Sequence, residues 1–238
     1  MNTYDPAEHP RAKTGEFTNK HRDEPKSDGL AAVPPASTPM TMLDGRVHWL
    51  TPGGKLHRED GPAIIQPDGT EMWFKNGLYH RDDGPAIIHP DGRQDWYRNG
   101  NPHRDDGPAI IRPDGSEEWW VDGKLHREDD PASIRPEGNE AWYRDNKLHR
   151  EDGPAIIRPG RYETWYQHGK RHRVDGPAFI AADGYEEWYL DGKRHRTDGP
   201  AVVLPDGRVE WWENGERKSP QEEAKLSVAW YARTPDEA

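Results

Sequence analysis

The dipeptide His-Arg recurs at His57, His80, His103, His126, His149, His172 and His195, always 23 residues apart. Trp73, Trp96, Trp119, Trp142, Trp165, Trp188 and Trp211 keep the same period. A strict period of this length defines a small supersecondary unit that buries its apolar surface only by stacking on its neighbours. We number the units one to seven from each histidine, 57–79 through 195–217. A leading half unit, 44–56, has its own Asp44-Gly45 pair and Trp49.

Each unit reads as β structure. In 107–129 the pair Asp114-Gly115 separates two β-prone runs, a strong hairpin signal. Taking those two residues as the whole turn sets a register. Arg112 then faces Glu117, Arg135 faces Glu140 and Arg158 faces Glu163; in unit seven Leu204 faces Val209. Charge meets charge and apolar meets apolar, each pair worth roughly 0.2–1 kcal/mol. The same count sets the repeating Trp against Ile64, Ile87, Ile110, Ile156, Phe179 and Val202, and each Ala of "GPA" against a second aromatic. A second loop, "DGKLHRED" at 122–129, has a glycine position that is Gly in six units and Asn146 in the other, so it needs positive φ.

Only 31% of the chain is hydrophobic, yet it holds 11 Trp and 9 Tyr. Apolar surface concentrated in a few large rings suits a single sheet layer better than a thick core. The expected fold is all-β: an antiparallel meander of about 15 strands, built of stacked hairpins over 44–217. Residues 1–43, with "AAVPPASTP", read as a disordered Pro-rich arm. Residues 218–238 read as a capping helix and tail, with Ser219 at the N-cap, Pro220 in the first turn, and Leu226, Val228, Trp230 and Tyr231 covering the end of the stack.

The unit resembles MORN-type repeats, in the "HRxDGPA" variant of bacterial, phage and large-virus proteins. The likeness rests on the 23-residue period, on an aromatic followed by Asn/Asp-Gly-Lys, on the His two places later and on the later Asp-Gly. It departs where MORN units have Gly after the His; here that residue is Arg. The resemblance implies stacked β-hairpins and a role in protein contact, dimerisation or scaffolding; a phage-type relative would bind and block a host factor.

His, Glu and Asp in "HRED" are residue types that ligate metals and move protons. All seven units carry His, Arg and the Asp three places after His, which points to architecture. An active site is needed once. We therefore expect His57, His80, His103, His126, His149, His172 and His195 to be structural, with each His donating to a carbonyl of the next unit. No enzyme, catalytic residue, metal site or cofactor is expected.

The candidate interaction surface is Trp73, Tyr97, Trp120, Tyr143, Tyr166, Phe179, Tyr189 and Trp212, with the stripe Arg112, Arg135 and Arg158. Aromatic rows offer stacking platforms and the arginines offer anion contacts. Residues that break the repeat, among them Met72, Pro102, Tyr162, His168, Val174 and Phe179, would give specificity.

The net charge of −11 argues against nucleic acid and anionic membrane, and suits a basic protein partner. The absence of cysteine and of any apolar run of about 20 residues fits a cytoplasmic protein. The expected function is a non-enzymatic protein-interaction scaffold. A small-molecule or glycan binder using the aromatic rows, and a structural or virion component, are the alternatives. Exposed end strands leave homo-oligomers open.

Overall fold

The structure, a computed structural model, describes residues 37–231. The expected disordered arm lies largely outside those residues. Its last part does not: Thr38–Thr41 forms strand β1 and pairs with β2, Val47–Leu50, at the edge of the sheet. The reason is local. The half unit has its own Asp-Gly turn, with Gly45 at φ 83°, and a turn needs a strand on each side. Pro39 is tolerated because an edge strand can spare an N–H.

The array is a 16-stranded antiparallel meander, with seven separate two-stranded hairpins beside it. Each unit contributes one hairpin to each. In unit three, Ile110–Ile111 pairs with Glu117–Glu118 in the large sheet, and Trp120–Val121 pairs with Lys124–Leu125 in a small one. Trp119 is the corner between them. Its N–H donates to Ala132 O at 2.8 Å, and its carbonyl accepts from His126 N at 3.0 Å.

The register differs by one residue from the sequence expectation. Ile110 lies opposite Glu118 rather than Trp119, and Ile111 opposite Glu117. Val203, not Leu204, lies opposite Val209. The cause is the proline before Asp-Gly. Pro113-Asp114-Gly115 forms a three-residue loop closed by Arg112 N–H donating to Ser116 O, and only Gly115 has positive φ. That is a type I turn followed by a left-handed glycine, for which Pro is the favoured first residue. The second loop lacks the proline, and Asp122 and Gly123 both have positive φ, as a two-residue type I′ turn requires. The predicted left-handed position is left-handed in all seven units, Asn146 included. In unit five the loop is Pro159-Gly160-Arg161, a turn with Gly160 left-handed, and the pairing of Arg158 with Tyr162 is kept.

A one-residue slip moves a whole strand's side chains to the other face. The Ala of "GPA" therefore does not oppose the second aromatic; it is fully buried in every unit beside the Trp corner. The core is thin, as in the cluster Trp142, Ala155 and Ile157.

Helix α1, Pro220–Tyr231, closes the stack. Ser219 and Glu222 form a capping box: Glu222 N–H donates to Ser219 Oγ and Ser219 N–H donates to Glu222 Oε2. The covering face is Glu223, Ser227 and Trp230, spaced four and three apart on one helix side. Trp211 Nε1 donates to Ser227 Oγ at 3.1 Å, and Trp230 packs edge-on against Trp211 at 6.4 Å. Val228, expected to help cover the end, is exposed.

Candidate interaction face

The repeated polar residues are consumed by the architecture. Each arginine of His-Arg stacks on the preceding Trp corner at 4.0–4.2 Å, from Arg58 on Trp49 to Arg196 on Trp188. Its Nη1 donates to the "GPA" proline carbonyl, as Arg81 does to Pro85 O at 3.4 Å. Its Nε donates to the repeating Asp in six units, as Arg81 does to Asp83 at 2.9 Å. Stack, carboxylate and carbonyl make a clamp across the inter-unit step. The conserved period of the following glycine has a steric cause. A Cβ at Gly84 would lie 3.0 Å from Arg81 Cζ. Unit four has Asp130 there, and Arg127 turns to Asp130 Oδ2 at 2.7 Å instead of Asp129.

The histidines accept rather than donate. In every unit Nδ1 takes the backbone N–H of the first left-handed turn residue 19 positions on, such as Asn99 N to His80 Nδ1 at 3.1 Å. That turn N–H points out of its own hairpin and needs an acceptor. Nε2 then carries the proton, which in units two to four meets a carboxylate two residues on: Asp82, Asp105 and Glu128, at 2.9–3.0 Å. In units one and five the acid at that place stands farther off, Glu59 at 3.9 Å from His57 and Glu151 at 3.5 Å from His149. Burial, the Arg144 guanidinium and His168 lower the pKa of His149. Among the described residues no group of three or more His, Asp or Glu could hold a metal ion.

Of the residues that break the repeat, Met72, Pro102, Tyr162 and Phe179 lie on the face that carries Ile110 and Glu118, whereas His168 packs on His149 at 4.6 Å in a small-hairpin turn and Val174 is exposed in the loop after His172-Arg173. Three rows cross the Ile110 face. The middle row alternates apolar residues with the residue before each Trp: Met72, Asp95, Glu118, Ala141, Thr164, Glu187 and Glu210. The outer row, toward the Pro-Asp-Gly tips, holds Arg93, Arg112, Arg135, Arg158 and Arg208, with Tyr162 and Tyr185. The row on the small hairpins holds the second aromatics, and in units five to seven Arg171, Arg194 and Arg217. Of the expected surface residues, Trp73 is not here; it lies under Arg81. Tyr97, Trp120, Tyr143, Tyr166, Phe179, Tyr189 and Trp212 belong to this face.

Its centre of complexity is Glu187, 4% exposed. It accepts from Arg171 Nη1 at 3.2 Å, from Arg194 Nε at 3.0 Å and Arg194 Nη2, and from the Tyr185 hydroxyl at 2.8 Å. Tyr162 stacks on Phe179 at 5.5 Å, and Phe179 meets Tyr185 edge-on at 5.9 Å. Burial and the neighbouring Glu187 push the Tyr185 hydroxyl up to about 12. Smaller versions occur in units two and three: Arg93 Nε donates to the buried Asp95 at 2.9 Å, and Arg112 Nη1 to Glu118 at 2.9 Å. Trp120 Nε1 donates to the other Glu118 oxygen at 3.1 Å.

The expected pairs Arg112–Glu117, Arg135–Glu140 and Arg158–Glu163 do not form, because the register places those glutamates on the opposite face. Arg135 lies opposite Asn139 and Arg158 opposite Tyr162. Glu187 was invisible as a hub in the sequence, since "EEW" occurs twice and only the register shows which Glu turns inward. The chain matches no known family model, and no curated protein shows significant similarity to it.

Proposed function

We propose that this protein is a non-enzymatic protein-interaction scaffold whose docking surface is the tyrosine- and arginine-rich face of the large sheet. One observation carries the reading: the repeated His, Arg and Asp are spent on holding units together, while Met72, Tyr162 and Phe179, which depart from the repeat, share one face with the second aromatics and the unrepeated arginines. Tyr, Trp and Arg are the side chains that dominate binding energy at protein interfaces. The Tyr162–Phe179–Tyr185 group around Glu187 is held in place by its own hydrogen bonds, which limits the ordering cost of binding. The MORN-like period and motif agree with a scaffold role.

The test is affinity capture from lysate of the source cell, with wild type beside Tyr162→Ala/Phe179→Ala. The reading expects one protein retained by the wild type at low salt and lost by the double variant, with circular dichroism unchanged. It fails if nothing specific is retained, or if the variant retains the same protein equally.

A second reading, a small-molecule site, draws on the cleft between unit seven and α1. Its volume is about 370 Å³, and Trp211, Trp212 and Leu226 line it beside Lys218 and Lys225. Quenching of tryptophan fluorescence by a ligand panel would favour it.

A further inference from the structure

Within the seven units the docking face carries eight arginines, named above, against four carboxylates, Asp95, Glu118, Glu187 and Glu210. The chain as a whole has a net charge of −11, so this face opposes the rest of the molecule in sign. The imbalance has a definite place. Units two, three, six and seven put an acid before the Trp, and each of these acids takes a guanidinium: Arg93, Arg112, the pair Arg171 and Arg194, and Arg217. Units four and five have Ala141 and Thr164 there instead, both buried, yet keep Arg135 and Arg158. Among the described residues neither arginine has an ion pair; Arg158 Nη1 only donates to Ile157 O at 3.3 Å. Arg135 is exposed and Arg158 half-exposed.

The two arginines sit on strands two apart in the sheet, whose backbones are roughly 9–10 Å apart. The face between and beside them is uncharged: Ser133, Ala141, Ile156 and Thr164, with Tyr143 and Tyr162. Short side chains leave the arginines standing over a shallow floor. A partner segment laid there meets two cations free to make charge-assisted, forked hydrogen bonds and aliphatic and ring surface; the carboxylates at its two borders, Glu118 beside Ser133 and Glu187 beside Phe179, are already held by arginines.

We propose that units four and five bind an acidic peptide segment of the partner, with Arg135 and Arg158 taking two of its carboxylates. This rests on the scaffold reading above and gives its partner a chemistry opposite to the one the net charge suggests. A peptide suits the site better than a nucleic acid. Its charge is confined to a few side chains, whereas a continuous phosphate backbone would run on over the ends of the face, where the arginines already have internal partners.

The probe is a fluorescein-labelled glutamate-rich peptide containing one tyrosine, read by anisotropy on the full chain. Wild type should bind, with affinity falling as the screening length drops from about 30 to about 3 Å between about 0.01 and 1 M salt. Arg135→Gln/Arg158→Gln should weaken binding at least about tenfold, which is about 1.4 kcal/mol. Ala141→Glu/Thr164→Glu should do the same by a different route, because it copies the Arg112–Glu118 solution into both units. Lys147→Gln/Lys170→Gln removes equal charge from exposed hairpin tips off this face and should leave affinity within about twofold.

Equal weakening by the lysine variant, or no binding by wild type, overturns the proposal. So does tighter binding of an oligothymidylate through the same arginines, which would make the ligand a nucleic acid. If the peptide fails while capture of the partner still depends on Tyr162 and Phe179, the scaffold reading stands and this inference alone falls.

Discussion

Replacing His80 with alanine and with asparagine separates the acceptor role of the repeating histidine from simple filling of space. His80 sits just after one small hairpin, and its Nδ1 accepts Asn99 N–H from the turn of the next at 3.1 Å. Its Nε2 faces Asp82 at 3.0 Å. Alanine leaves that turn N–H without an acceptor, which costs about 1–3 kcal/mol. Because the turn lies near solvent, water replaces part of the bond and the lower half of that range applies. Loss of the mostly buried imidazole adds about 1–2 kcal/mol. His80→Ala should therefore cost about 2–4 kcal/mol. Asparagine places Oδ1 close to the position of Nδ1, so His80→Asn should recover about 1 kcal/mol of this. Urea unfolding followed by tryptophan fluorescence gives the two values. Hydrogen exchange at the Asn99 amide gives the local effect, which should speed in the alanine variant and stay slow in the asparagine variant. If the two variants are equally unstable, or if Asn99 exchange is unchanged by alanine, the histidine is a spacer and the acceptor account is wrong.

Other consequences follow from the same contacts. Gly107→Ala puts a Cβ 2.9 Å from Arg104 Cζ and should cost about 1–2 kcal/mol in thermal unfolding, whereas Gly107→Asp should cost less, because Arg104 can turn to the new carboxylate as Arg127 turns to Asp130. Because the folded pKa of His149 lies below its unfolded value of about 6.5, the unfolded chain takes up the proton first on acidification. Stability should fall as pH drops below about 6.5 and level off below the folded value; His149→Asn should flatten that limb, and a limb of unchanged slope would refute the assignment. Tyr185, with its hydroxyl raised to about 12, should be a late-titrating tyrosine in ultraviolet absorbance, and Tyr185→Phe should remove that step. The stability that its raised pKa contributes is complete below about pH 10 and is lost as pH rises toward 12.

The unit and its turns were legible in the sequence because they follow from local chemistry. Asp-Gly marks a turn wherever it stands, and the Gly-or-Asn position reports a left-handed backbone that few other residues adopt. The capping box at Ser219 and Glu222 is equally local, set by spacing along one helix turn. The register was harder. Two Asp-Gly pairs in one unit form different turns, and Pro113 distinguishes them by favouring the first position of a type I turn. One residue of slip then exchanged Glu117 for Glu118 as the partner of Arg112, and left Arg135 and Arg158 without the glutamates that adjacency in sequence offered them.

What the sequence determined by itself is therefore the repeat, the β class, the two turns of each unit and the capping helix, all products of residue type and spacing within one unit. What only the tertiary structure decided is where side chains meet across units. The corner at each Trp, the histidine as acceptor for a turn 19 residues away, and the gathering of Tyr162, Phe179, Arg171, Arg194 and Glu187 on one face all depend on how neighbouring hairpins stack. Stacking is set by the full three-dimensional register, and no single unit contains it.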